Sequence, residues 1–243
     1  MPIDKTLIMC CTKNRPLICK RMYESFLKTK GSKYTQMIFC YDYEDTHLAT
    51  YHKLFPDEVS MIAHPNYQTP MFNMITKVYH TDYDYYGLIN DDHIFRTDNW
   101  DIELIKTIKE KGNGYGIAHA NSLWFESDVV CRHPSAFLIS TKTIKPLTYA
   151  IYPELRHFKI DTYLRDLTEP LGLLFYREDI VIEHMHAHQK KAEMDDNYTW
   201  GYCAEEQALG DRTYAKWRLV WADKDREKIK KAIEKERGIN AIS

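Results

Sequence analysis

The chain has 243 residues, of which 44% are hydrophobic and 13% aromatic, with a formal net charge of −2. That is enough apolar sequence for one domain with a good core, and too little net charge for a global field that gathers nucleic acid. No apolar run reaches the ~18 residues of a membrane span, and the start, MPIDKTLIMCC, lacks the basic-then-apolar build of a secretory signal, so a cytoplasmic setting is expected.

Residues 6–11 form a short apolar run closed by Thr12-Lys13-Asn14-Arg15-Pro16, which reads as a strand followed by a polar turn. Leu17, Ile18, Met22 and Phe26 then recur at helical spacing across residues 17–28, and residues 36–41 read as a second strand ending in the acidic turn Asp42-Tyr43-Glu44-Asp45. Strand, helix and strand at this separation predict a parallel βαβ unit. A further strand is expected at 59–63, a helix at about 71–80, and a strand at 85–89 that delivers Asp91-Asp92-His93. Residues 98–111 read as a helix with Asp98 or Asn99 as N-cap and Gly112 as its stop. Strands follow at 115–119 and 136–140, then a helix at 160–167 with Asp161 near its start, then a strand at 180–186 that ends in alternating histidines. Residues 223–236 are charged at helical spacing, with Ile229 and Ile233 on one side, and read as a docked surface helix. No internal repeat or linker divides the chain.

The six cysteines (Cys10, Cys11, Cys19, Cys40, Cys131, Cys203) include no CxxC pair, which points to reduced, mostly buried thiols rather than a zinc knuckle or disulfide framework. Eighteen tyrosines suit stacking on a sugar or base, and suit an ordinary core equally well.

Three polar turns, 12–15, 42–45 and 90–93, follow predicted strands. In an open α/β sheet ligands bind beyond the carboxyl ends of strands, so these turns are expected to meet at one crevice. Two clusters of the chain carry chemistry. Asp91-Asp92-His93 follows the apolar run Gly87-Leu88-Ile89, where paired carboxylates are costly unless a cation or several donors neutralise them. A capped turn with a hydrogen-bonding histidine is the plainer alternative. In Glu183-His184-Met185-His186-Ala187-His188, a period of two puts three imidazoles on one side of an extended segment, as metal ligands or as their supporting partners.

The ordered series TKNRP, the acidic turn, Asn73, LINDDHIFRTDNW, HFKIDTYLRDL, DIVIEHMHAH and DDNY resembles the GT-A fold nucleotide-diphospho-sugar glycosyltransferases, the family-two-like group especially, across most of the first two hundred residues. The resemblance implies a single α/β domain with a Rossmann-like, mostly parallel central sheet flanked by helices. The nucleotide-sugar half would be about 1–95, the acceptor half about 96–222, and the helical tail 223–243. It implies that Thr12, Arg15 and Pro16 cradle base and ribose, that Asp42 holds the base or ribose, and that Asn73 and Lys77 line the nucleotide and sugar. Asp91, Asp92 and His93 match the DxD-type metal motif in the form DDH, with Asp91 and His93 as ligands of Mn²⁺ or Mg²⁺; His184 or His186 matches the family's late metal-binding histidine. Asp161 sits where inverting members place the carboxylate that deprotonates the acceptor, an N-cap being its alternative role, with Asp195 and Asp196 as rivals. Trp100 resembles a tryptophan that packs behind the metal loop.

On this reading the protein moves a sugar from a nucleotide-diphosphate sugar, a UDP-sugar, to an acceptor hydroxyl, with inversion favoured over retention. A metal-dependent hydrolase or phosphatase, using the same ligands to activate water, and a non-catalytic nucleotide-sugar-binding protein are the other readings. The acceptor is left open among a saccharide, a protein and a hydroxymethylated DNA base; Lys190, Lys191 and the basic residues of the tail read as solvated surface rather than phosphate contacts.

Overall fold

The computed structural model describes residues 3–126, 129–130 and 132–240. The first apolar run becomes β1 (Thr6–Thr12), buried on both faces, as a strand covered by helices on each side must be. Pro16 opens α1 (Pro16–Thr29), where its missing N–H is lost from a group that has no helical partner anyway. The chain continues through β2 (Thr35–Asp42), α2 (Leu48–Leu54), β3 (Val59–Ala63), α3 (Gln68–Val78), β4 (Tyr85–Asn90), β5 (His93–Phe95), α4 (Trp100–Gly112) and β6 (Ile117–Asn121). A small hairpin, β7 (Phe125–Glu126) and β8 (Val129–Val130), precedes β9 (Phe137–Ser140), α5 (Thr141–Ile144), α6 (Ile160–Thr168) and β10 (Leu174–His184). Three helices, α7 (Asp196–Gly201), α8 (Ala204–Val220) and α9 (Ala222–Asn240), complete it.

Eight strands form one sheet in the order β3-β2-β1-β4-β9-β6-β10-β5. The first four run parallel, β9 is antiparallel to both neighbours, and β10 runs parallel to β6 but antiparallel to β5. The expectation of a mostly parallel α/β sheet flanked by helices therefore holds. Registry places the site: Thr12 lies beside Tyr41, Cys11 beside Asn90, and Asp42 beside Ala63, so the carboxyl ends of β1 to β4 finish together. At the far edge His184 pairs with His93, which brings the histidine-rich end of β10 to the corner after β4. Gly87 is needed for that packing, since a Cβ there would stand 2.5 Å from Ile8 Cδ1 and 2.9 Å from the Phe137 carbonyl oxygen. Trp100, only 1% exposed, packs on Phe95 and Phe26 with centroids 4.8 and 6.1 Å away, behind the corner as anticipated.

Several boundaries differ from expectation. Asn99 occupies the N-cap position of α4 in the left-handed region (φ 58) and makes no side-chain cap; Asp101, fully buried, instead accepts from the backbone of Gly31 and Ser32 and from Thr35. Gly112 is the last helical residue, and Asn113 (φ 51) makes the turn. β10 begins at Leu174 because its first part pairs with β6 before an irregularity between Arg177 and Val181 redirects it to β5. Helix α8 went unread, since it buries only Gly210, Thr213 and Trp217 and shows no apolar stripe. Ile229 is buried in α9 and Ile233 packs beside it, so the tail helix docks as expected, although residues 241–243 lie outside the described residues. Cys10, Cys11, Cys19, Cys40 and Cys203 are free thiols, and Cys131 lies outside the described residues. No helix among the described residues is long and apolar enough to cross a membrane.

His119 on β6, 1% exposed, has no hydrogen-bond partner at either ring nitrogen among the described residues, and burial pulls it down to about 4. Its folded-state value lies below the unfolded one near 6.5, so the neutral ring's contribution is intact above pH 6.5 and is lost as pH falls towards 4. His119→Leu is expected to raise stability at pH 7 by about 1–3 kcal/mol, by removing unsatisfied polar atoms. It should also flatten the decline in stability between pH 6.5 and 4, both measured by urea denaturation across pH.

Candidate functional site

A cavity of about 630 Å³ opens where β1, β2 and β4 end, and α7 forms part of its wall. The two carboxylates of the corner divide. Asp91 Oδ1 accepts from Arg15 Nη1 (3.0 Å) and its Oδ2 from Thr12 Oγ1 (2.8 Å). Arg15, 8% exposed, turns its other two nitrogens to Asp195 at 2.7 and 2.6 Å and lies 4.1 Å over the ring of Tyr198. Burial opposes its charge, but Asp91 and then Asp195 more than offset this and hold the guanidinium protonated. Burial raises the Asp91 carboxyl to about 6 against the pull of Arg15.

Asp92 faces the other way. Its Oδ2 accepts from Tyr198 Oη (2.6 Å), while its Oδ1, 3.1 Å from His184 Nε2, is buried without a hydrogen bond of good geometry among the described residues. Burial alone would raise this carboxyl, yet His184, His93 and Tyr198 together outweigh it and hold Asp92 well below the usual carboxylate range. His186 completes a trio: one ligand atom from each of Asp92, His184 and His186 lies within 4.8 Å of the others, and all three residues are buried. A carboxylate oxygen with no hydrogen-bond partner among the described residues, converging with two imidazoles, fits a divalent transition-metal ion. Burial lowers His186 to about 3, which favours the neutral, ligating form. Its Nδ1 accepts the backbone N–H of His188 at 3.1 Å, so ligation through that atom replaces the bond that starts the turn at residues 187–189.

The structure brings together only part of the expected metal set. Asp91, expected as a ligand, has both oxygens engaged by Thr12 and Arg15. The His93 ring lies 4.4 Å from that of His184, tilted against it, with Nδ1 accepting the N–H of Asn90 (2.8 Å) and Nε2 buried without a hydrogen-bond partner among the described residues, but it is not part of the converging trio. His188 leaves the line of alternating imidazoles in the turn after β10 and lies exposed beside Tyr202.

Thr12, Arg15 and Asp42 line the cavity as expected, whereas Pro16 only starts α1. Asp42, nearly buried, accepts the backbone N–H of Glu44 (2.9 Å) and of Asn66 (3.2 Å) and lies 3.3 Å from Lys13 Nζ; burial opposes ionisation, but these donors and His64 lower its pKa. Asn73 and Lys77 stand outside the cavity wall. Helix α3 touches it at Gln68, whose Nε2 donates to Asn90 Oδ1 (2.6 Å), and then climbs away at about 1.5 Å per residue. Asn73 instead pins the loop at Ala150 and Ile151 through three bonds of 2.7–2.9 Å, and Lys77 is exposed in the last turn.

Asp161 is the second residue of α6, not its cap, a position held by Lys159. Its Oδ1 accepts from the Thr162 N–H (2.7 Å), its Oδ2 lies 3.4 Å from His133 Nδ1, and it is absent from the cavity wall. Four cavity residues that the sequence reading did not single out are Asn66, His157, Trp200 and Tyr202. The aromatic run after DDNY was the one available signal for the last two.

No family model and no curated protein sequence matches the chain. Solved structures do. S. aureus TarS superposes with TM-score 0.56 at 11% identity over 88% of this chain, which spans 42% of the length of TarS. The mannosyltransferase PcManGT from Pyrobaculum calidifontis, in complex with GDP-Man and Mn²⁺, gives 0.57 at 7% identity over 98% of this chain and 76% of its own. Glucosyl-3-phosphoglycerate synthase from Mycobacterium tuberculosis, in complex with Mn²⁺, UDP and phosphoglyceric acid, gives 0.56 at 10% identity over 86% and 78%. These neighbours share a large, curled, mostly parallel sheet flanked by helices, and the chain therefore has the GT-A-like fold of nucleotide-diphospho-sugar glycosyltransferases.

Proposed function

We propose that this chain is a metal-dependent glycosyltransferase that moves a sugar from a nucleotide-diphosphate sugar, a UDP-sugar, to an acceptor hydroxyl with inversion at the anomeric carbon. The observation that carries this reading is the buried trio Asp92–His184–His186 in the wall of a cavity that also holds Asp42, all at strand ends. When bound, Mn²⁺ or Mg²⁺ would neutralise the charge that grows on the departing diphosphate; of the two, the less hard Mn²⁺ tolerates two imidazoles among its ligands better than Mg²⁺ does.

The chain's own groups do the rest. Asp42 is the acceptor for base or ribose hydrogen bonds at one end of the cavity, and Thr12 sits between it and the metal trio. Arg15 neutralises Asp91, so that the corner carries one net carboxylate towards the metal rather than two. Helix α7 is tied to the corner through Tyr198 and its N-cap Asp195. The donor half is residues 1–95 and the acceptor half 96–222. Mn²⁺ complexes of two structural neighbours support the cofactor class.

Release of nucleotide from a panel of UDP- and GDP-sugars, with and without Mn²⁺, followed by addition of saccharide, protein and hydroxymethylated DNA acceptors, tests the reading. Metal-dependent release that accelerates with an acceptor is expected. Release to water alone, indifferent to every acceptor, identifies a hydrolase, and nucleotide affinity without any turnover identifies a binding protein.

A further inference from the structure

The carboxylate expected to deprotonate the acceptor does not reach the cavity. Asp161 spends Oδ1 on its own helix and faces His133 with Oδ2, and Arg165 Nη1 holds the far nitrogen of that ring at 3.1 Å. His157 does reach it. This half-buried imidazole lines the same cavity as Asp92 and His184, and makes no side-chain hydrogen bond among the described residues. Its edge abuts Gly201 at the end of α7, where a Cβ would lie 3.7 Å from Nε2, and the Phe158 ring packs on it edge-on at 5.6 Å.

We propose that His157 is the base that takes the proton from the acceptor hydroxyl. The assignment rests on the transferase reading above. As the acceptor oxygen forms its bond to the anomeric carbon, its proton passes to an imidazole nitrogen of His157. The bond from that carbon to the diphosphate oxygen breaks, and its electron pair leaves with the nucleotide. The resulting imidazolium is balanced by Asp161 and later gives its proton to solvent.

The surroundings suit a neutral base. Burial lowers His157 from its ordinary value, with Arg15 acting in the same direction, while Asp161 on α6 and Asp92 at the corner act against it. Tyr202, just past α7, is a further titratable group of the wall, and Arg156, Glu154 and Glu206 lie on the other side of His157. A base must be unprotonated, so activity should persist below the usual histidine range and fail at lower pH.

The test compares two nucleophiles in the full chain, using UDP-glucose and UDP-N-acetylglucosamine with Mn²⁺ and reading UDP release. Water must lose a proton to attack, whereas azide must not. In His157→Ala, release to water is expected to fall by about 100-fold or more, azide-driven release and calorimetric UDP affinity to stay unchanged, and added imidazole to restore part of the loss. His157→Gln, which keeps the bulk of the ring, should behave alike. Equal loss with both nucleophiles, or no loss with water, overturns the assignment. Absence of turnover in the unsubstituted protein instead defeats the transferase reading, and the assignment with it.

Discussion

Asp92→Ala is expected to abolish metal-dependent nucleotide binding and sugar transfer, while leaving the fold intact. The side chain supplies the one carboxylate of the trio, and its Oδ1 faces His184 Nε2 at 3.1 Å. Loss of a group that merely supports a metal ligand costs roughly 10–100-fold in affinity, so loss of a ligand should exceed that, read by Mn²⁺ titration in the presence of UDP. Tyr198 loses its acceptor in the variant but stands against the cavity, where water can replace it. Asp91→Ala separates the two carboxylates: it should leave Mn²⁺ affinity within about tenfold of the unsubstituted protein and act mainly through Arg15. If Asp91→Ala removes metal binding and Asp92→Ala does not, the division of the corner is wrong.

Arg15→Met should produce the largest loss of stability, about 3–5 kcal/mol at pH 7, because it strands the Asp91 carboxylate in a buried site. Asp195 contributes less, since its side chain is 36% exposed and water screens it. The pH dependence has a definite sign. Asp91 is raised from 3.8 to about 6 in the folded protein, so the folded state holds that proton more tightly and stability declines as pH rises between those values. Without Arg15 the carboxyl rises further, so the defect should be greatest above pH 6 and shrink in acid, where Asp91 becomes neutral. Asp91→Asn added to Arg15→Met should recover most of the loss at pH 7. Denaturant melts of the single and double variants at pH 5 and pH 8 measure both effects.

Much of the donor half was legible in the sequence because its elements are regular. The apolar runs at 6–11, 36–41 and 85–89 each became a parallel strand, and the polar residues after them meet at one cavity. The histidines at 184 and 186 were also readable, since an extended segment ending in alternating imidazoles leaves few structural uses for them. What could not be read was direction. Asp91 and Asp92 are neighbours, and only the register of β5 against β10, together with the place of Arg15 at the start of α1, decides which of them faces the metal trio. Asn73 and Lys77 were misplaced for a related reason: α3 touches the cavity with its first turn alone. His157 sits in an irregular stretch before α6, where no periodicity marks it, and its chemistry comes from Gly201, more than forty residues later, leaving room beside it.

The position of the ion tests the whole account most directly. Anomalous scattering from crystals grown with UDP and Mn²⁺ should place a single peak within about 2.3 Å of Asp92 Oδ1 and of one nitrogen each from His184 and His186, with the nucleotide diphosphate beside it. A peak held by Asp91 and His93 instead, or UDP seated in the cavity with no peak at the trio, would contradict it.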